Sequence, residues 1–465
     1  MLTKLGKKFT DLFQKYMPSA FVFALFLTLI TAVCASFWGD AGPLEIISAW
    51  YDGFFDLLSF GMQIVLIIIT GFSIALSSTI SKGIDKLTTF IKTPKQVYFF
   101  VIVIGSLLSL VSFGWIVITC VLARELAMRV KGVNYPFLIA CAYFSLGGWV
   151  NGLSSSIPLL LNTEGNFLIE AGVLDQRIPT EYTLGSTLNL AMIVLFVVVA
   201  PLIFMLFVPK SAQGKELSEM LKSGYHSEEV SIKEEAESFK LPFKALSDTL
   251  NNTMVLPLLI TAMAFSYIVY HFWTKGFDLN FNIMIFIFLM LGLFLHKTPM
   301  RYSVAMKRAS GNISGILFQY PFYAGIMGIM LYTGIGEKLA LGLVSVMTTE
   351  TYPFFAYLTG GVVNFAIPSA GGEFAVVGPS IINAVQDIAV GLPQDQTISM
   401  ISRASLAVAY GESLSNLLQP FFILLVLPVM GAGVRLQARD IMGYLVIPFV
   451  IFFIIQTLMV LYIPI

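Results

Sequence analysis

Residues 368–373, Pro-Ser-Ala-Gly-Gly-Glu, interrupt an apolar stretch that extends from 353 to 385. A second apolar stretch, 97–124, is interrupted in the same way by Ser112-Phe113-Gly114. Proline and glycine disfavour a continuous helix, so neither stretch predicts one straight membrane crossing. Non-helical backbone at membrane depth is tolerated only where protein buries it or where it lines a wet cavity. We therefore predict two re-entrant helical hairpins, at about 97–125 and about 353–385.

The composition of the whole chain is that of a membrane protein. Of the 465 residues, 57% are hydrophobic and 12% are charged, with 27 Lys plus Arg against 27 Asp plus Glu. Soluble domains are about 25% charged, and disordered chains combine low hydrophobicity with high charge. The absence of a basic excess argues against a nucleic-acid partner. Long apolar runs, rather than short alternating segments, argue against an outer-membrane barrel and favour helices in a lipid bilayer.

The predicted fold class is an all-α polytopic membrane protein with about nine transmembrane helices and the two hairpins. The first apolar run is too long for a signal-peptide core, so it is expected to remain as a membrane helix. A crossing needs about 20 mostly apolar residues. The nine predicted crossings lie at about 17–38, 54–80, 136–161, 185–208, 252–273, 281–297, 313–335, 402–430 and 441–463.

The distribution of cations supports this topology. With a cytoplasmic N-terminus and hairpins that return to their own side, 23 of the 27 Lys and Arg residues face the cytoplasm. The other four are Arg177, Lys275, Lys338 and Arg403. Cytoplasmic loops carry the excess of positive charge, so the re-entrant topology is favoured over full crossings by the two broken stretches. It places the C-terminus in the periplasm.

Short internal matches indicate two repeats. Residues 53–60 match 311–318, and residues 99–105 match 354–360, at similar offsets along the chain. The second unit begins five crossings after the first, so the two units are predicted to be inverted, as in many transporters. The predicted divisions are a first repeat at 1–208, a cytoplasmic linker at 209–251, an extra transmembrane helix at 252–273 and a second repeat at 281–465. Residues 84–95 and 300–308 are predicted interfacial helices.

Polar and small residues at the breaks are the candidate substrate-binding residues. Hydroxyls and amides can hydrogen-bond a carboxylate or coordinate Na⁺ without a fixed charge. Helix packing in membranes also favours such residues, so packing remains the alternative. The candidates are Ser112, Phe113, Gly114, Trp115, Asn151, Ser154, Ser155, Asn364, Ser369, Gly371, Gly372, Ser415 and Asn416.

Two acidic residues stand out as candidates for binding a coupling ion. Glu373 and Glu412 lie inside apolar stretches, where ionisable residues are costly and often functional. The alternatives are that Glu373 lies at a wet hairpin mouth and that Glu412 pairs with Arg403. Ser156 and Ser413 are the further coupling-ion candidates.

Other features bear on cofactors and on alternative classes of protein. No cysteine pair or histidine cluster has metal-ligand spacing, so no metal site and no cofactor beyond Na⁺ or H⁺ is expected. The chain has no phosphate-binding loop for an ATP-driven pump and no catalytic constellation for an enzyme. Arg124, at the end of the first hairpin, is either an anchor or a cation that steers substrate.

The chain resembles the short-chain fatty acid transporter family over essentially its whole length. The residues that carry the resemblance are Tyr16-Met17-Pro18 after a Lys-rich opening, the segment 109–115 with Ala123-Arg124-Glu125, the segment 148–154, and Gly371-Gly372-Glu373. The resemblance implies a transporter that carries a small carboxylate, such as acetoacetate or butyrate, across a bacterial inner membrane. It also implies two hairpins and two broken helices at the site, a homodimer and an elevator movement.

A fatty carboxylate needs a polar cradle for its head and an apolar wall for its tail. The serines and asparagines at the breaks are expected to form the cradle, and Phe113, Trp115 and Phe365 the wall. A transporter of another organic acid, such as a dicarboxylate, and a channel remain alternative hypotheses.

Overall fold

The computed structural model describes residues 11–465, apart from 13–14, 17, 57, 154, 165, 171, 222–230, 242, 244 and 277–280. Over these residues the chain forms helices and no β-strand, with one isolated antiparallel bridge between Leu221 and Val434. The predicted all-α class is therefore confirmed for the described part of the chain.

The first half is a series of helices, with a longer irregular connection before Thr187. They are α1 (Ala20–Phe37), α2 (Pro43–Asp56), α3 (Leu58–Ala75), α4 (Ser78–Thr88), α5 (Pro94–Val111), α6 (Ile116–Arg129), α7 (Tyr135–Leu146), α8 (Ser156–Asn162), α9 (Phe167–Glu170), α10 (Thr187–Val194) and α11 (Ala200–Phe204). A π-helical segment, Leu195–Val199, joins α10 to α11.

The linker and the second half are also built of helices. The linker carries α12 (Leu217–Met220), α13 (Ile232–Ser238) and α14 (Leu246–Asn252), and α15 (Val255–Lys275) comes next. The second half contains α16 (Phe281–His296), α17 (Pro299–Ala309), α18 (Ser314–Tyr332), α19 (Ile335–Val344), α20 (Tyr352–Val363), α21 (Ala370–Ile388), α22 (Gln394–Ser415), α23 (Ile423–Met430), α24 (Ala438–Met442) and α25 (Val446–Tyr462).

Local chemistry explains where the helices around the breaks begin. Thr93 and Gln96 form a capping box, and Pro94 occupies the first position of α5, where its missing N–H costs nothing. Asn134 caps α7 by accepting a hydrogen bond from the Phe137 N–H.

Five described helical segments are long and apolar enough to cross a bilayer: Ala20–Phe37, Pro94–Val111, Tyr135–Asn162, Thr187–Phe204 and Val255–Lys275. A sixth arises if Gln394–Leu418 and Ile423–Met430, which bend by 47° at a short break, form one span. Three shorter apolar helices, Val65–Ile74, Asn282–His296 and Val446–Tyr462, add to these. The chain is thus a multi-pass helical protein, whereas the count of nine crossings, the two inverted repeats and the two re-entrant hairpins stay predictions.

In both halves, the helix before a break packs closely against the following broken helix. Helix α5 packs on α7, and α20 packs on α22. A Cβ added to Gly105 of α5 would lie 2.1 Å from Ser145 Oγ, and one added to Gly360 of α20 would lie 2.2 Å from the Val408 carbonyl oxygen. Small residues permit this close approach, which is how membrane helices gain packing contacts.

Helices α2 and α18 cross at a pair of glycines. A Cβ on Gly328 would lie 2.5 Å from the Gly53 Cα, so the two backbones touch at this point. The sequence did not predict α2 as a separate helix. Its residues 43–56 end inside the crossing predicted at 54–80, which the structure begins only at α3.

The linker contacts elements of both halves. The Tyr135 N–H donates to the Lys215 carbonyl oxygen at 2.8 Å, and Lys215 Nζ lies 3.2 Å from the Tyr444 hydroxyl oxygen. Farther along the linker, Glu235 of α13 accepts hydrogen bonds from the Arg308 guanidinium of α17. The linker therefore spans from the ends of α7 and α24 to α17.

Candidate functional site

Both predicted breaks interrupt helical geometry. Ser112 separates α5 from a 3₁₀ turn at Phe113–Trp115 with an extended backbone (φ −156°, ψ 136°). Ser369 is also extended (φ −138°, ψ 110°), and its side chain makes no capping hydrogen bond at the start of α21. The first N–H groups of a helix have no intrahelical acceptor, so those of α21 remain available to a ligand.

The two broken helices carry a 3₁₀ turn where each regular helix stops. Helix α7 continues into Gly147–Asn151, and α22 continues into Asn416–Leu418 before an extended Gln419 (φ −124°, ψ 148°). At these four breaks, backbone groups and polar side chains are left without regular helical hydrogen bonds inside an otherwise apolar structure.

A buried cluster of amides and hydroxyls links the second break to α22. Asn364 Nδ2 lies 2.7 Å from Ser415 Oγ, 2.7 Å from Asn416 Oδ1 and 3.1 Å from the Glu412 carbonyl oxygen. Gln419 Nε2 donates to the same Asn416 Oδ1 at 2.8 Å. The side-chain oxygen of Asn364 has no hydrogen-bond partner among the described residues, so it is free to accept one from a ligand. Three predicted residues, Asn364, Ser415 and Asn416, therefore lie together.

Glu373 and Glu412 are both 0% exposed. None of their four carboxylate oxygens makes a hydrogen bond of regular geometry within the described part of the chain, although the Asn416 amide lies close to Glu412. The two carboxyl groups are near enough to interact electrostatically. A buried carboxylate is costly unless a proton, a cation or a set of donors compensates it. This pair of buried carboxyl groups is consequently the polar feature of the site that most lacks such compensation.

The first half contributes a smaller polar group. Asn151 Nδ2 donates to the Gly148 carbonyl oxygen at 3.2 Å, and the Asn151 carbonyl oxygen accepts from Asn189 Nδ2 at 3.0 Å. Tyr410 of α22 donates its hydroxyl to Asn189 Oδ1 at 3.1 Å. Asn151 Oδ1 and the buried Ser155 hydroxyl have no partner in the described residues. Asn151 and Ser155 thus offer unused polar atoms, and Asn189 links the 3₁₀ turn after α7 to α22.

The two broken helices meet at a narrow cavity. Ser413 Oγ donates to the Gly147 carbonyl oxygen at 2.7 Å, and the Tyr143 hydroxyl donates to the Asn416 carbonyl oxygen at 2.6 Å. The cavity between them has a volume of about 10 Å³, close to the room needed by one water molecule. Its lining residues are Tyr143, Leu146, Gly147, Trp149, Ser413, Asn416, Leu417 and Phe422.

The aromatic residues near the cavity differ in part from those expected. Phe113 packs edge to face on Trp149, with ring centroids 5.3 Å apart, and on Phe422 at 5.4 Å. Trp115 packs instead against a separate apolar cluster that contains Met284. Of the three residues predicted to form the aromatic wall, Phe113 therefore packs on residues that line the cavity, and Trp115 packs in a separate cluster. Phe365 is partly buried and is not among the lining residues.

The remaining candidates are spread around the breaks. Gly114 is tight, because an added Cβ would lie 3.0 Å from Ile67, whereas a Cβ on Gly371 would meet no described atom within 4 Å. Gly372 lies between these cases, and Ser156 is exposed at the start of α8. Ser154 lies outside the described residues.

Arg124 anchors the end of α23. Its guanidinium donates to the Met430 carbonyl oxygen at 2.8 Å and to the Ala432 carbonyl oxygen at 2.7 Å. Carbonyls at a helix C-terminus lack intrahelical donors and carry partial negative charge, which a cation stabilises. These contacts favour the anchor over the substrate-steering role for Arg124.

Arg403 is bound elsewhere than predicted. It donates to the Val460 and Leu461 carbonyl oxygens at 2.9 and 3.3 Å, at the end of α25. The alternative pairing of Glu412 with Arg403 is wrong, because the arginine instead satisfies orphan carbonyls of a neighbouring helix.

Sequence reasoning missed Tyr143, Asn189 and Phe422 as site residues. Asn189 is a single amide in the predicted crossing at 185–208, and an isolated polar residue in such a segment was a usable signal. Tyr143 and Phe422 carried no such signal, since aromatic residues make up 14% of the chain.

Comparison with known proteins supplies a family. The family model described as short chain fatty acid transporter matches residues 1–463. A relative from Escherichia coli (strain K12), provisionally named a short-chain fatty acid transporter, is 35% identical over 447 residues, which are 96% of each chain. A relative with the same provisional name from Haemophilus influenzae is 33% identical over 451 residues, again 96% of each chain.

Two solved structures show a weaker likeness. The YdaH transporter of Alcanivorax borkumensis is 14% identical, with a TM-score of 0.43 over 95% of this chain and 97% of that one. The MtrF protein of Neisseria gonorrhoeae, described as an antimetabolite efflux pump, is 14% identical, with a TM-score of 0.40 over 98% and 97%. On the strength of the family match and the two relatives, the chain is a transport protein and not an enzyme, and it belongs to the short chain fatty acid transporter family.

Proposed function

We propose that the protein imports short-chain fatty acid anions, such as acetoacetate and butyrate, across the bacterial inner membrane in symport with Na⁺ or H⁺. Family membership and the names of both relatives support the substrate class. The observation that carries the coupling is the pair of fully buried glutamates, Glu373 and Glu412, whose carboxylate oxygens make no hydrogen bond of regular geometry in the described chain.

The substrate carboxylate is assigned to the space between the two breaks. The uncapped first turn of α21, with the open position of Gly371, offers N–H groups to an anion. Asn364, Ser415 and Asn416 lie at the other side of the same break and provide amide and hydroxyl groups. Asn151 and Ser155 supply unused polar atoms from the first half. Ser112, Gly114, Ser369 and Gly372 shape the backbone around them.

The coupling ion is assigned to Glu373 and Glu412, with Ser413, which follows Glu412 in sequence, and Ser156 as further candidates. A substrate anion beside two ionised carboxylates would bring three negative charges into a poorly solvated site, where Coulomb repulsion is only weakly screened. Protons or sodium ions at the glutamates remove that repulsion. Substrate and cation therefore stabilise each other's binding, which is the requirement for symport.

The test is uptake of labelled butyrate and acetoacetate into proteoliposomes with an imposed pH or Na⁺ gradient. The wild-type protein should accumulate substrate saturably with one of the two gradients. Glu373→Gln and Glu412→Gln keep the shape of the side chain and should lose gradient-driven accumulation while retaining exchange of labelled for unlabelled substrate. The matched control is Glu337→Gln, an exposed glutamate in the first turn of α19.

Three results would contradict the proposal. Accumulation by both glutamine variants at the wild-type level would remove the glutamates from coupling. Uptake without saturation would indicate a channel, and transport of dicarboxylates in place of butyrate would move the protein to another substrate class.

The movement is proposed to be an elevator in a homodimer, with the N-terminus cytoplasmic, the linker cytoplasmic and the C-terminus periplasmic. The charge distribution supports this orientation. An impermeant thiol reagent applied from outside should label Lys275→Cys but not Lys131→Cys in a cysteine-free background. Light scattering of the protein in detergent should give twice the chain mass. Labelling of Lys131→Cys from outside, or a monomeric mass, would refute the respective statement.

A further inference from the structure

The cavity between the two broken helices is lined by both polar and apolar groups. Asn416 contributes an amide, and Leu146, Trp149 and Phe422 contribute apolar surface. A short fatty carboxylate has the same division, with a charged head and a hydrocarbon tail. The lining of the cavity therefore contains both kinds of surface that this substrate class needs.

Three aromatic residues, Phe113, Trp149 and Phe422, pack together beside the cavity and are here termed the aromatic trio. Phe113, Trp149 and Phe422 are 5%, 6% and 3% exposed, and Phe113 packs edge to face on both of the others. They come from the first break, from the 3₁₀ turn after α7 and from the segment before α23. Three separate elements thus converge beside the cavity.

The trio is backed by a second layer, so it resists displacement. Phe422 packs on Phe421 at 5.0 Å between ring centroids, and Phe421 packs on Tyr323 of α18, also at 5.0 Å. Tyr323 and Phe421 are fully buried. A hydrocarbon tail that lengthens toward Phe422 meets close-packed rings, and moving such rings out of their places is costly.

We propose that the aromatic trio is the tail end of the substrate site and sets the maximum chain length of the fatty acid that is carried. The inference rests on the proposed function and adds the specificity determinants Trp149 and Phe422 to it. A cavity of about 10 Å³ has no spare room, so a tail that extends toward Trp149 and Phe422 has to displace their rings.

The experiment measures inhibition of labelled butyrate uptake by unlabelled butyrate, hexanoate and octanoate in proteoliposomes of the full chain. Phe422→Leu and Phe113→Leu each replace a ring of the aromatic trio with a smaller apolar side chain. Each methylene that gains apolar surroundings improves affinity about fourfold. In these variants the apparent affinity for hexanoate, relative to that for butyrate, should therefore rise by about fifteenfold. The matched control is Phe204→Leu, an equally buried ring that packs on Phe144, and it should leave the ratio unchanged.

The possible outcomes separate the two proposals. If the wild-type protein takes up neither butyrate nor acetoacetate, the proposed function and this inference both fail. If butyrate uptake persists in Phe422→Leu and Phe113→Leu but the hexanoate-to-butyrate ratio stays within about twofold of the wild-type ratio, the inference alone is overturned. Should either variant fail to fold, Trp149→Phe is tested by thermal stabilisation with hexanoate against butyrate in detergent, where an unchanged preference also overturns it.

Discussion

Replacing Arg124 tests whether this buried cation holds the structure together or handles substrate. Its two short hydrogen bonds, 2.8 Å to Met430 and 2.7 Å to Ala432, join α6 to the end of α23. A hydrogen bond that involves a charged group contributes about 1.5–3 kcal/mol, so Arg124→Met should lower the free energy of unfolding by about 3–6 kcal/mol. Arg124→Lys keeps the charge but offers one compact ammonium group, and its cost should be about half as large.

The assay is unfolding in mixed detergent micelles, monitored by tryptophan fluorescence. The KM for butyrate is measured on the same preparations. Arg129→Met is the control, because Arg129 lies on the same helix and pairs with Glu125 near the surface. Such a pair contributes below about 1 kcal/mol. If Arg124→Met is as stable as Arg129→Met and its KM for butyrate is strongly raised, the anchor role is refuted and Arg124 steers substrate.

Three further changes are predicted from single contacts. Gly328→Ala should destabilise the fold by about 1–3 kcal/mol, because its Cβ would lie 2.4 Å from the Ala49 carbonyl oxygen in α2. Gly83→Ala faces open space inside α4 and should stabilise it by up to about 1 kcal/mol, because alanine favours a helix more than glycine does; equal unfolding curves for the two would contradict the close crossing. Tyr143→Phe removes the hydroxyl bound to the Asn416 carbonyl, so stability should fall by about 1 kcal/mol and the KM for butyrate should rise. An unchanged KM would exclude Tyr143 from the site. Glu235→Gln weakens a partly exposed ion pair of the linker, so it should lower the free energy of unfolding by less than about 1 kcal/mol and leave uptake unchanged. A loss of uptake that does not depend on salt concentration would show that the linker has another role.

Much of the helical order follows from the apolar runs and their breaks. The first hairpin segment, 97–125, coincides with α5, the 3₁₀ turn and α6, and the predicted interfacial helix at 300–308 coincides with α17. The counterpart predicted at 84–95 was misplaced, because Ser77 caps the helix and α4 occupies Ser78–Thr88. The start of a short helix depends on one capping residue, and a smooth hydropathy pattern does not show it.

Glu373 and Glu412 could be singled out from sequence because acidic residues are rare within apolar stretches. The contacts that complete the site could not be found in the same way. The Tyr143 hydroxyl reaches the Asn416 carbonyl across 273 residues of sequence, and Phe113 meets Phe422 across a similar separation. Such contacts depend on how two distant broken helices dock, and no local pattern encodes docking between elements so far apart.

The small size of the cavity has a kinetic consequence. A space of about 10 Å³ admits no fatty acid, so binding at the proposed site requires a state in which the two broken helices lie farther apart. The apparent dissociation constant is then the intrinsic one divided by the fraction of molecules in that open state. A substitution that favours the open state would tighten apparent binding without adding a single contact to the substrate. Association at this site would also proceed below the diffusion limit, at a rate governed by the separation of the helices rather than by the supply of substrate.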